Sequence, residues 1–167
     1  MTVFAVDGPR DVPSYHGKAG GRTITDDNVR EFWKANHDLT KRRGCYAFGI
    51  RAGKGFTVGY VGKATKGFKG EVFAHHKLTR YQQFLADYRK GTPVLFFLVV
   101  PRSKGAPNNK HIGQLEDFLI QTGVRANPHL LNIKGTAEEE WGIGGLLRSG
   151  HGKPSKAAKL FKSFMKM

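Results

Sequence analysis

Cysteine is almost missing from this chain: Cys45 is the only one among 167 residues. A single thiol forms no internal disulfide and cannot build a cysteine-only metal site, which suits a reducing compartment. Long apolar runs are missing too. No stretch approaches the roughly 20 residues of a membrane span. The N-terminus, with Asp7 and Pro9 early, lacks the hydrophobic stretch of a secretory signal. The expectation is a soluble, cytoplasmic protein with no membrane partner. Acidic side chains are scarce. Asp and Glu number 13 against 28 Lys and Arg, a formal net charge of +15. Such an excess points to a polyanionic partner, most commonly nucleic acid. A ribosome-like surface or an anionic membrane would give the same number, so charge alone does not choose. After Glu140 there is no acid at all, while Arg148, Lys153, Lys156, Lys159, Lys162 and Lys166 accumulate.

What is present reads as a single α/β (α+β) domain with a real core, without internal repeats. Residues 1–25 are rich in Gly and Pro and read as a loop-rich arm. Asp26 and Asp27 then open a helix through "NVREFWKANHDL", where acids favour the dipole. Strand patterns follow at 44–51, 56–63 and 93–101, the last continuously apolar and therefore central. A helix from Glu71, ended by Gly91, separates the second and third strands. A further helix over Lys110–Thr122 is ended by Gly123, and "VRANPHLLNIKG" is irregular. Ala157, Leu160, Phe161, Phe164 and Met165 form one apolar stripe of a C-terminal helix. The expected sheet has three mainly antiparallel strands flanked by helices.

Three features invite chemistry. With Arg51–Gly55 as the turn, Tyr46 pairs with Tyr60, and directly opposed residues share a face. The same tyrosines would also serve simply as good strand residues. Glu116 falls at the margin of a buried stripe made by Ile112, Leu115, Leu119 and Thr122, while Asp117 points away. A carboxylate there needs a partner, either a divalent cation or a lysine. On the helix from Glu71, Lys77 falls within the apolar arc of Phe73, Tyr81, Phe84, Leu85 and Tyr88. His75 and His76 flank that arc on opposite sides, so they suit proton transfer or phosphate binding better than a shared metal.

The order of these parts resembles the GIY-YIG nuclease domain over residues 42–134. Gly44-Cys45-Tyr46 and Tyr60-Val61-Gly62 stand where that family has its two signature triplets. Glu116 in "QLEDFLIQ" resembles its metal-binding glutamate, and Asn132 in "NPHLLN" its downstream asparagine. The resemblance implies residues 1–41 and 135–167 as extensions around a nuclease core. It implies an endonuclease that hydrolyses phosphodiesters with one Mg²⁺ or Mn²⁺ held by Glu116. Tyr46, Tyr60, His75, His76 and Lys77 would serve catalysis. Lys63, Lys69, Arg80, Asn132, Arg148 and Lys153 would contact nucleic acid, DNA in preference to RNA. The chain departs from the family at Glu71, four residues before His75, where an arginine is usual. Lys77 or Lys69 is then expected to supply the cation, and Glu71 to pair with a base or stand near the ion. A binding module of the same fold without cleavage, and a basic RNA-binding or assembly protein, are the competing expectations.

Overall fold

In the computed structural model, residues 2–17, 21–88, 90–100, 108–132 and 155–165 are described. The chain divides into two compact units, residues 1–136 and 137–167. The first is a mixed α/β unit around one four-stranded antiparallel sheet, ordered β1-β6-β4-β5. Its strands are β1 (Ala5–Asp11), β4 (Gly44–Ala52), β5 (Gly55–Ala64) and β6 (Thr92–Val99). β2 (Tyr15–His16) and β3 (Arg22–Thr23) make a separate two-stranded ribbon.

The fourth strand corrects the expected three. β1 lies in what reads as a loop-rich arm and pairs with β6 from Ala5↔Val99 to Asp11↔Val94. It shows no alternation because almost none of it is buried. Gly8 and Pro9 fall where the register shifts between Asp7 and Arg10, and an edge strand tolerates a proline that cannot donate. β6 is an interior strand, as its apolar run predicts.

One sheet face is closed by α1 (Asp26–Ala35), α2 (Phe68–Glu71) and α3 (His75–Ala86). α1 starts from a capping box in which Thr25 and Asn28 bond each other's backbone N–H. Phe32, Phe68, Val72, Tyr81, Phe84 and Leu85 pack there on Tyr46, Phe48, Ile50, Leu95 and Phe97. The helix expected from Glu71 to Gly91 is the shorter α3. Glu71 instead closes α2, the chain breaks at 72–74, where Val72 and Phe73 turn into the core, and α3 ends at Ala86 with Asp87 as its cap.

The other face carries α4 (Asn109–Ala126), with Ile120 and Leu130 on Val61. The Cys45 thiol donates to the Ile112 carbonyl at 3.3 Å. α4 runs through Gly123 instead of ending there, because Gly123 is a contact point: a Cβ would come to 3.2 Å from Leu130. Its buried line is Ile112, Ile120 and Gly123, with Thr122 exposed. The helix is thus rotated from the expected stripe, and Glu116 falls on the line between Ile112 and Ile120. The second unit contains α5 (Lys156–Met165), where the rings of Phe161 and Phe164 lie 6.4 Å apart. Among the described residues no helix is long and apolar enough to cross a membrane.

A candidate active site at the open edge of the sheet

β5 is the edge strand opposite β1, and the irregular segment after α4 is fastened along it. Asn127 Nδ2 donates to Val58 O at 2.7 Å, and Leu131 N donates to Gly59 O at 2.9 Å. Asn132 closes the zip with two bonds to Val61: Nδ2 donates to its O at 2.7 Å, and its N donates to Oδ1 at 2.9 Å. Both halves of the Asn132 amide are therefore engaged by backbone. α3 stands on one side of this edge and α4 on the other. Between them lies a cleft of about 790 Å³.

The cleft has two unlike walls. α3 contributes His75, His76, Thr79, Arg80 and Gln83. His76, Thr79, Arg80 and Gln83 follow helical spacing, so they form one polar face. Both histidines reach the cleft, unlike the expected opposite placement, because they occupy the first turn of α3, which opens onto it. α4 contributes Glu116 and Asp117, the latter exposed but on the cleft wall. β5 supplies Tyr60 and Lys63.

The two tyrosines are not directly opposed. The turn is two residues, Gly53 and Lys54, between paired Ala52 and Gly55. The register then shifts once beyond Gly49↔Val58, leaving Gly59 without an opposite number. As a result Phe48 faces Tyr60, and Tyr46 faces Gly62. The phenols remain on one sheet face, one pair apart, with very different surroundings. Tyr60 is half-buried on the cleft, its ring edge-on to Tyr81 at 5.8 Å. Burial raises its pKa first, Glu116 adds to the rise, and Arg80 opposes it. Tyr46 is fully buried and does not line the cleft. Its hydroxyl rests against Gly62, where any Cβ would collide with it. Burial, then the nearby phenols Tyr81 and Tyr60, hold its pKa well above the ordinary phenol value. The Tyr81 hydroxyl donates to Val72 O at 2.7 Å, and Tyr46 Oη, beside that hydroxyl, meets no partner in hydrogen-bond geometry among the described residues.

Lys77 is buried outside the cleft. Its ammonium lies 3.1 Å from Glu71 Oε2 and 5.2 Å from the centre of the Tyr46 ring, within cation–π range. Glu71 is thus a partner for a base. Lys69 is exposed on α2 and is not in the cleft. Arg80, by contrast, is a cleft cation. Its one hydrogen bond among the described residues is a 3.3 Å contact to Gln83 Oε1. Arg148 and Lys153 lie outside the described residues.

Glu116 is paired: Lys63 Nζ sits 2.8 Å from its Oε2. This hydrogen bond is the chief reason the Lys63 pKa is raised. The Lys63 side chain is 46% exposed and that of Glu116 18%, so solvent screens the lysine end of the pair, while the carboxylate needs either this ammonium or another cation in its place. Among the described residues no three of His, Cys, Asp and Glu cluster into a closed metal cage. One carboxylate in an open, hydrated cleft suits Mg²⁺ all the same, since that ion keeps several waters and takes substrate phosphate as a ligand. No family model, no curated protein and no solved structure matches this chain.

Proposed function

We propose that the cleft hydrolyses phosphodiester bonds of nucleic acid, DNA in preference to RNA, with one divalent cation bound at Glu116. The observation that carries this reading is convergence: a phenol, two imidazoles, a guanidinium and a carboxylate from three separate elements border one cleft. Glu116 would hold the ion in exchange for Lys63, and the bound ion supplies Lewis-acid polarisation and charge neutralisation at the leaving oxygen. Arg80 offers a planar fork for two phosphate oxygens. Tyr60, kept protonated by burial, orients the attacking water or a phosphate oxygen through its hydroxyl. His75 and His76 are the cleft's candidate proton acceptors. Lys63, released from Glu116, adds a second positive charge where negative charge develops. Tyr46 and Lys77, which do not line the cleft, have no direct part in binding substrate.

The Lys63–Glu116 pair favours a second reading, a binding module in which the ammonium permanently holds the carboxylate. One experiment separates the two. Plasmid, single-stranded DNA and RNA are incubated with Mg²⁺ or Mn²⁺, using the parent protein, Glu116→Gln and Tyr60→Phe. The nuclease reading expects cation-dependent nicking, reduced about 10²-fold or more in both variants. Chelation is expected to stop turnover and leave the melting temperature unchanged, because the ion is not a structural ligand set. Equal binding by all three proteins with no nicking in any would establish the binding module instead.

A further inference from the structure

Two basic loops are zipped together at the end of the sheet next to the cleft. One precedes β4 and carries Lys41, Arg42 and Arg43; the other follows β5, carries Lys66 and runs into α2, which carries Lys69. Phe68 N donates to Arg42 O at 2.9 Å, and Lys69 N donates to Thr40 O at 3.2 Å. Gly67, at φ +151°, permits this approach: a Cβ there would come to 3.2 Å from Thr40 O and 3.8 Å from the Lys41 Cα.

The result is a concentration of like charge. Lys41, Lys66 and Lys69 are all exposed, and among the described residues none of them pairs with a carboxylate. The nearest acids in sequence, Asp38 before Lys41 and Glu71 after Lys69, are paired with Arg10 and Lys77. Arg42 is used inside the fold, where its guanidinium donates to Val100 O at 2.9 Å. Holding three unpaired ammonium groups together costs repulsion that a bound polyanion would remove. The position matters as much as the charge. Lys66 stands three residues beyond Lys63, which borders the cleft; β5 ends at Ala64 and the chain bends at Thr65 and Lys66, so Lys66 is at most about 10 Å farther on. That is within about three nucleotide steps at ~3.4 Å per step of each duplex strand.

We propose that these two loops form a phosphate track, on which Lys41, Lys66 and Lys69 hold the backbone of the nucleic-acid strand whose scissile bond lies in the cleft. The assignment rests on the nuclease reading for the strand's destination and on the loops' charge for its path. No base readout is involved, so the track binds without sequence preference.

The test is the salt dependence of binding, measured by fluorescence anisotropy of a labelled DNA strand and duplex in chelator, where no cleavage occurs. Lys41→Ala, Lys66→Ala and Lys69→Ala are each expected to flatten the slope of log K against log salt by about 0.9 on duplex and about 0.7 on single strand. Lys54→Ala is the control. It removes the same charge from the hairpin turn at the opposite end of β4 and β5, and the slope is expected to remain that of the parent. Unchanged slopes in the three variants, or an equal fall in Lys54→Ala, would overturn the track. The outcome is separable from the chemistry. Binding with the expected slopes but no cleavage in Mg²⁺ retires hydrolysis and keeps the track. Cleavage with unaltered slopes retires the track and keeps hydrolysis.

Discussion

Two neighbouring phenols under the sheet differ in what their hydroxyls meet, and the difference has opposite consequences for stability. Tyr81 gives its proton to Val72 O, so Tyr81→Phe removes a buried hydrogen bond and strands an acceptor. A loss of about 1 kcal/mol or more is expected. Tyr46 Oη is buried beside the Tyr81 hydroxyl but meets no partner in hydrogen-bond geometry among the described residues, and Tyr46→Phe deletes that poorly satisfied polar atom at nearly constant shape. Its stability is expected to be equal to the parent's or higher. Urea unfolding of the two variants checks the signs; a Tyr46→Phe protein clearly weaker than the parent would mean that the hydroxyl has a structural partner. The adjoining Gly62 is held to glycine by the same hydroxyl, and Gly62→Ala should cost about 1–3 kcal/mol through overpacking. Of the chemistry-bearing residues, Glu116 was the most legible in the sequence, because a carboxylate on the buried line of a helix stands out against its neighbours. The split between the tyrosines was not legible. Both fit a strand equally well, and only the layer formed by α2 and α3 seals one and leaves the other beside the cleft.

At the scale of elements, the edge of β5 decides whether a cleft exists. A bare edge strand offers unpaired N–H and C=O groups, and here residues 127–132 cover them. Asn132 alone satisfies both backbone groups of Val61. Asn132→Ala should therefore release that end of the segment and cost about 1–3 kcal/mol. Hydrogen exchange gives a local readout: the Val61 amide is expected to exchange faster in the variant, while amides in the β4–β6 ladder stay protected. Uniform acceleration across the sheet would instead indicate global weakening. Asn132 thus shapes the cleft by holding its rim. The elements themselves were largely readable: α1, α4 and α5 from helical apolar spacing, β4 and β5 from strand-forming runs around a glycine-rich turn, and β6 from its continuous apolar run. Register was not. A five-residue turn and a two-residue turn with one unmatched glycine fit "RAGKGFTVG" equally well, and that choice moved the partner of Tyr46 from Tyr60 to Gly62. β1 was hidden for a related reason: a mostly exposed edge strand is specified by backbone pairing, which leaves no hydrophobic signature.

At the scale of the whole molecule, the core contains acids that must stay neutral for the unit to remain folded. Burial raises the Cys45 thiol from 9.0 to about 12. Tyr46 and Tyr81 are pushed well above the ordinary phenol value, again chiefly by burial. The sign follows directly. Below about pH 8 all three groups are largely protonated in both folded and unfolded chains, so their neutrality carries no penalty. As pH rises past the unfolded thiol and then the unfolded phenol values, the unfolded chain releases protons that the folded chain retains. Stability must fall, by up to about 1.4 kcal/mol per pH unit for each group in that state. Urea midpoints should therefore be flat up to about pH 8 and drop progressively above it. Cys45→Ala isolates the first contributor. It should lower stability modestly at neutral pH, since the thiol also donates to Ile112 O, yet flatten the early part of the alkaline decline while leaving the later, phenol-driven part. The thiol's share should be complete by about pH 12, where the folded protein also ionises. A parent whose midpoint holds steady through pH 11 would mean that these groups reach water readily. The inner face of the sheet would then be far less sealed than its packing indicates, and the contrast between a buried Tyr46 and an accessible Tyr60, on which the assignment of the cleft chemistry depends, would go with it.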